Sequence, residues 1–189
     1  MNRFRFSKKE KTDLLKAWFA ISLAFAIVLR GQFEFIYTFI ISASTVGMGF
    51  LFHELAHKFL AQKYGCIAEF RSYDNMLILA VLMSFFGFII AAPGGVMIQG
   101  YIDNIRNGRI SAAGITANLS IAFIFLLLAL ATPMAGIAMY GFMINSWLAL
   151  FNLIPFGNFD GTKVLAWNKM VYFSMVSIAV VFMLIQGFI

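Results

Sequence analysis

The sequence has little charge and almost no cysteine. Of its 189 residues, 12% are Asp, Glu, Lys or Arg and 62% are hydrophobic, whereas a soluble globular domain has about 25% charged and 45–50% apolar residues. This composition excludes an ordinary soluble protein. The single cysteine, Cys66, excludes a disulfide framework and any metal site built from cysteine alone.

The basic residues lack the arrangement that nucleic-acid binding requires. The formal net charge is +6, yet the lysines and arginines lie between apolar runs and form no stripe interleaved with aromatic residues. We therefore expect no nucleic-acid partner. In a membrane protein, Lys and Arg instead accumulate in short cytoplasmic loops. Six of the fourteen lie close to the N-terminus, so we predict a basic cytoplasmic segment over residues 1–13.

Long hydrophobic segments account for most of the chain. The stretch from Ile110 to Phe159 contains no Asp, Glu, Lys or Arg. A helix needs about 20 residues to cross the roughly 30 Å apolar layer of a lipid bilayer, where only helices and closed barrels satisfy their backbone hydrogen bonds. The sequence thus predicts an all-α polytopic membrane protein of five to six membrane helices, with a single domain over residues 1–189. The candidate segments are Leu14–Leu29, Phe35–Gln62, Met76–Ala92, Gly114–Ala131, Met134–Leu153 and Val164–Phe188.

The third candidate segment, Met76–Ala92, is predicted to enter the membrane and return on the same side. If it crossed fully, Arg106 and Arg109 would lie outside. If it re-enters, these arginines join Lys163 and Lys169 on the cytoplasmic side, which is the distribution that membrane proteins favour. A full third span is the alternative.

Both histidines of the chain fall in one short motif, His53-Glu54-Leu55-Ala56-His57. Residues i and i+4 lie on the same face of a helix, one turn apart, so both imidazoles can reach one metal ion. Histidines held only by hydrogen bonds inside a helix bundle are the alternative. Ionisable groups inside a membrane segment are costly and usually functional, which favours the metal site. The lysines that follow the motif indicate a site near the cytoplasmic side.

A catalytic zinc ion takes three protein ligands and a water, so a third ligand must come from elsewhere in the chain. The acidic residues are the remaining choice, because there is no third histidine and only one cysteine. Asp160 follows Pro155 and Gly157, which break a helix and leave polar groups at membrane depth. The alternative is that Asp160 caps a helix beginning near Thr162. The other candidates are predicted to be solvated charges in polar loops: Glu69, Asp74 and Asp103.

These motifs resemble those of the site-2 protease family of intramembrane zinc metalloproteases. The resemblance runs in the family's order from about Thr45 to Leu165. A His-Glu-x-x-His helix paired with a distant Asn-x-x-Pro and Asp-Gly is highly specific, whereas many soluble zincins share the first motif alone. The matching residues are His53–His57, Lys63-Tyr64-Gly65, Gly94-Gly95-Val96, Ala113-Gly114 with Asn118, Asn152-Leu153-Ile154-Pro155 and Asp160-Gly161. Two features depart from the family: Ile115 stands where it usually has proline, and compact relatives lack the apolar stretch Met76–Ala92.

The resemblance implies a site and a cofactor. It implies that His53, His57 and Asp160 ligate Zn2+ and that Glu54 is the catalytic base. It also implies that Gly94–Met97 forms part of a short membrane-embedded β-strand or hairpin.

We therefore expect a zinc endopeptidase that hydrolyses a peptide bond in the transmembrane segment of another membrane protein. Asn118 and Asn152 are candidates for holding the substrate backbone or the developing oxyanion, with interhelical hydrogen bonding as the alternative. Gly94, Gly95 and Val96 are candidates for pairing with an unwound substrate. Two other functions are open: a non-catalytic metal-binding scaffold or small transporter, and a membrane-anchored zincin that cuts soluble or misfolded proteins.

Overall fold

The computed structural model describes residues 4–31, 34–89, 93–132 and 135–187, and these residues are mostly helical. Within these ranges the chain forms seven helices and two strands. The second helix contains one π-helical stretch, Ala43–Gly47. In chain order the elements are α1 (Lys8–Val28), α2 (Phe35–Lys63), β1 (Ile67–Ser72), α3 (Asp74–Ser84), β2 (Gly94–Gln99), α4 (Asn104–Ala131), α5 (Ala135–Asn152), α6 (Asp160–Trp167) and α7 (Lys169–Ile185).

The helix α4 makes the most extensive packing contacts and lies against α2, α5 and α6. One apolar core joins α4 to the C-terminal elements through Ile115, Leu153 and Val164, all nearly inaccessible to solvent. A second core joins α1, α2 and β1 and includes Phe50 and Phe70, whose rings pack edge to face. The helix that carries both histidines, α2, therefore contacts α4 as well as the N-terminal elements.

The expectation of five to six membrane helices is wrong. Among the described residues, two helices, α2 and α4, are both long and apolar enough to cross a membrane. The apolar helices α3 and α7 are shorter, with 11 and 17 residues, whereas a crossing needs roughly 20. The first helix, α1, begins with a run of charged residues. Two such helices are a weak sign of membrane association.

The last predicted segment, Val164–Phe188, is not one continuous helix, although it is hydrophobic over most of its length. Asn168 adopts an extended backbone conformation, with φ −153° and ψ 108°, and separates α6 from α7. Its side chain accepts a hydrogen bond from the Val171 N–H at 3.1 Å, so it caps α7. Three ends of predicted segments, at Ala92, Met134 and Phe188, lie outside the described residues.

The two strands form an antiparallel pair in which Ser72 lies opposite Gly94. The segment between them, which contains α3, therefore leaves the sheet and returns to the same end of it. A further bond at this end joins the Tyr73 N–H to the Pro93 carbonyl at 3.1 Å. A strand was expected at Gly94–Met97, whereas its partner β1 was not, because the charged residues of β1 were interpreted as a polar loop.

Candidate metal centre

The imidazoles of α2 and one carboxylate of α6 converge inside the protein. The Nε2 atoms of His53 and His57 are 2.9 Å apart, as expected for histidines one helical turn apart. The Oδ2 atom of Asp160 lies 3.3 Å from the Nε2 atom of His53 and 3.0 Å from that of His57. All three residues are buried, with exposed fractions of 6–8%. The structure thus brings together the three residues that the sequence resemblance singled out.

Asp160 reaches the histidines because α5 ends at Asn152 and the chain turns before α6 begins. The turn is fixed by Tyr172, whose hydroxyl donates to the Leu153 carbonyl at 3.0 Å. Gly161 lies directly against the same carbonyl, where a Cβ atom would collide with it. The glycine that follows Asp160 is therefore required for this close approach of α6 to the end of α5.

Hydrogen bonds on the outer side of each imidazole define which nitrogen is free. The Nδ1 atom of His53 lies 2.6 Å from the Oδ1 atom of Asn118, and that of His57 lies 2.8 Å from the Ile110 carbonyl. Both partners are acceptors, so each Nδ1 carries the proton and each Nε2 presents a lone pair. Two Nε2 lone pairs and a carboxylate oxygen then face one another.

Such a set of acceptors fits a metal cation. Tetrahedral zinc with bonds of about 2.0–2.2 Å places neighbouring ligand atoms roughly 3.3–3.5 Å apart, and the observed separations are 2.9–3.3 Å. Burial tends to raise the pKa of the Asp160 carboxyl, but the positive charge and hydrogen bonds that His57 and His53 supply when protonated outweigh burial and hold that pKa well below its usual range. The carboxylate is therefore ionised at neutral pH, as a zinc ligand must be.

Gly114 of α4 allows this helix to lie against the imidazoles. A Cβ atom at this position would lie 2.8 Å from Cε1 of His53 and still closer to the ring of His57. Gly114 is among the residues that carry the family resemblance, but its position in the sequence indicates no physical role. The structure gives one, because any side chain here would displace the histidines.

Asn118 lies behind His53 in a buried network. Besides contacting the imidazole, its amide nitrogen donates to the Gly49 carbonyl and to the Oδ1 atom of Asn145, both at 3.2 Å. Asn145 in turn donates to the Gly141 carbonyl at 2.9 Å. These contacts are the interhelical hydrogen bonds that were the alternative role for Asn118. Asn145 was missed because no motif marks it.

The other predicted candidates lie elsewhere. The amide nitrogen of Asn152 donates to the Leu148 carbonyl within its own helix at 2.9 Å. Three acidic residues are engaged away from the metal cluster: Glu69 pairs with Arg71, Asp74 binds Lys16 at 2.8 Å, and Asp103 caps α4 by accepting from the Arg106 N–H at 2.7 Å. Contrary to the prediction of polar loops, Glu69 lies in β1 and Asp74 begins α3.

Glu54 follows His53 on α2, is 8% exposed, and faces the second strand. The backbone N–H of Val96 approaches its carboxylate, and the side chains of Leu55 and Val96 pack into the same core. A lysine, Lys163, lies at the other side of the cluster with its Nζ atom 3.4 Å from Oδ1 of Asp160. The centre thus has two buried imidazoles, two buried carboxyl groups and a neighbouring strand.

Comparison with known proteins finds a relative from Methanocaldococcus jannaschii named "Putative zinc metalloprotease". It is 40% identical to this chain over an alignment of 178 positions, which covers 91% of each protein. No protein-family model matches the chain. No solved structure matches it. The relative's name and the cluster of two histidines and one aspartate together support Zn2+ as the cofactor.

Proposed function

This chain belongs to the same zinc metalloprotease family as its Methanocaldococcus jannaschii relative, and from that premise we propose that it is an intramembrane endopeptidase of the site-2 protease type. One observation carries the proposal: the buried ligand atoms of His53, His57 and Asp160 converge beside Glu54. Both histidines and Glu54 lie on α2, one of two described helices that are long and apolar enough to cross a membrane. A site on such a helix would act on peptide bonds at membrane depth.

In the proposed reaction, His53, His57 and Asp160 hold Zn2+. When bound, zinc polarises the scissile carbonyl and lowers the pKa of the attacking water toward about 7. Glu54 accepts the proton of that water and passes it to the nitrogen of the leaving amine. Asn118 holds the Nδ1 proton of His53 and thereby keeps the Nε2 lone pair directed at the metal.

The substrate is proposed to bind as a strand. A transmembrane helix hides its amides in hydrogen bonds and must unwind before a carbonyl can reach the site. An unwound segment would pair with β2. This pairing would replace the backbone hydrogen bonds that unwinding breaks and that lipid cannot supply. The backbone groups of Gly94 and Val96 point to this free edge of β2. Those of Gly95 point the other way and pair with Arg71 of β1. A substrate role for Asn118 or Asn152 stays a prediction, and in this structure the amide nitrogens of both donate to groups inside the protein.

Two substrates given to the purified protein in lipid vesicles test the intramembrane part of the proposal. One is a transmembrane peptide with glycine in its span, and the other is a soluble unfolded protein. We expect cleavage within the span of the first, and slower cleavage of a matched Leu-rich peptide, whose helix resists unwinding. Cleavage of the soluble protein alone would indicate a membrane-anchored zincin instead.

A further inference from the structure

A buried ion pair closes the outer edge of β1. The Nζ atom of Lys58 on α2 lies 2.7 and 2.6 Å from the two carboxylate oxygens of Glu10 on α1, and both residues are completely buried. Glu10 also accepts a hydrogen bond from the backbone N–H of Phe70 at 2.9 Å. Lys58 donates to the Ala68 carbonyl at 3.0 Å. The pair therefore occupies two backbone groups that β1 presents on its outer side.

The direction of the Phe70 N–H also shows which backbone groups of β2 point to the opposite edge of the sheet. Phe70 lies opposite Val96 in the register, but its N–H donates to Glu10. This is a non-hydrogen-bonded pair, in which the backbone groups of both residues point away from the partner strand. The N–H and carbonyl of Val96 consequently point to the far side of β2, where the N–H approaches Glu54.

The two edges of the sheet are thus unlike. The edge of β1 is capped by Glu10 and Lys58, whereas no further strand pairs with β2 among the residues that the structure describes. An edge without a partner strand is a template for pairing with an extended chain, and a substrate strand at β2 would take over the Val96 N–H that approaches Glu54 in this structure. Pairing on the β1 side would place a substrate away from Glu54, so capping that side restricts pairing to the productive edge.

Stability alone does not explain why the cap is ionic. Desolvating two charges costs several kcal/mol each, and replacing a buried ion pair by apolar residues of similar volume is often neutral or stabilising. Aromatic residues of the N-terminal segment cover the pair as well, since the rings of Phe4 and Phe6 lie 5.6 and 4.5 Å from the Lys58 ammonium. Charged groups are instead suited to satisfying the backbone donor of Phe70 and the acceptor of Ala68 simultaneously.

We propose that Glu10 and Lys58 are positioning residues that cap the outer edge of β1, so that a substrate strand can join the sheet only at β2, beside Glu54. This inference rests on the proposed function, because it assumes that substrates bind by strand pairing.

Two double variants separate capping from a simple ion-pair role. Glu10→Gln/Lys58→Met removes both charges but keeps an oxygen acceptor for the Phe70 N–H. Glu10→Met/Lys58→Met removes both charges and the acceptor. Zinc content, kcat and KM for a transmembrane peptide, and hydrogen exchange of the Phe70 amide are measured for both variants and the wild type.

We expect the Gln/Met variant to keep the wild-type kcat and KM and a protected Phe70 amide. The Met/Met variant should retain zinc but show kcat and KM lowered together by about tenfold, because substrate held at β1 is bound without being cut and one buried hydrogen bond changes the pairing preference by about this factor. Its Phe70 amide should also exchange faster. Equal kcat values in the two variants would overturn the proposal. If the wild type cleaves no transmembrane peptide, the proposed function fails, and a Phe70 amide that exchanges equally in both variants would independently reject the cap.

Discussion

Replacing Gly114 with alanine should weaken zinc binding, because the added methyl group would lie against both imidazoles. Its carbon would be 2.8 Å from Cε1 of His53 and closer to the ring of His57, whereas carbon atoms in contact are about 3.5–4.0 Å apart. The helices must separate, or the rings must turn, by roughly 1 Å. Zinc sites tolerate deviations of about 0.2 Å in ligand distances. Mutations of residues that orient metal ligands cost about 10–100-fold in metal affinity, and because the methyl group would displace both imidazoles we expect at least the lower value.

The assay is a competition titration of zinc against a chelator of known affinity, with the protein in detergent. Gly136→Ala is the matched control, because a Cβ atom at that position in α5 has no neighbour within 4 Å. The control should bind zinc as the wild type does and unfold at the same temperature or slightly higher, since alanine is favoured over glycine in a helix by about 1 kcal/mol. Wild-type zinc affinity in Gly114→Ala would refute the packing argument.

Three further variants test separate parts of the site. Asp160→Asn should weaken zinc binding strongly, because it removes the anionic ligand. The same titration should find no change in Asp103→Asn, whose carboxylate only caps α4. The reverse result would reject the ligand assignment. Asn118→Ala should lower zinc affinity about tenfold or more by freeing the Nδ1 proton of His53, and unchanged affinity would mean that this hydrogen bond does not orient the ring. Val96→Pro removes a donor from the β2 edge and should slow cleavage of a transmembrane peptide without releasing zinc, whereas Met97→Ala, on an exposed side chain, should not; equal rates in the two would exclude substrate pairing at Val96.

The local parts of the metal centre were predictable from the sequence. His53 and His57 are four residues apart on one helix, so their spacing alone indicates a shared face, and Glu54 is part of the same motif. Asp160 is more than a hundred residues from His53, yet the helix break before it and the family resemblance both singled it out. Its proximity to the histidines depends on the packing of Gly161 against Leu153, which no spacing reveals.

The membrane topology and the supporting contacts were less predictable. Apolar runs do not show where a helix ends, so the break at Asn168 and the short length of α3 led to an overestimate of the number of membrane helices. Glu69 and Arg71 made β1 look like a loop, although they alternate with the buried Ala68 and Phe70 as polar residues do in a half-buried strand. This short alternation was the signal that could have predicted β1. Asn145 and the Glu10–Lys58 pair depend on contacts between residues that are distant in sequence.

The most direct test of the central claim is cleavage by Glu54→Gln with its zinc content measured on the same sample. The substitution keeps the size of the side chain and leaves His53, His57 and Asp160 in place, but the amide cannot take a proton from water. We predict about one zinc per chain, as in the wild type, and loss of cleavage by at least about a hundredfold. Undiminished cleavage by a zinc-loaded Glu54→Gln protein would contradict the account.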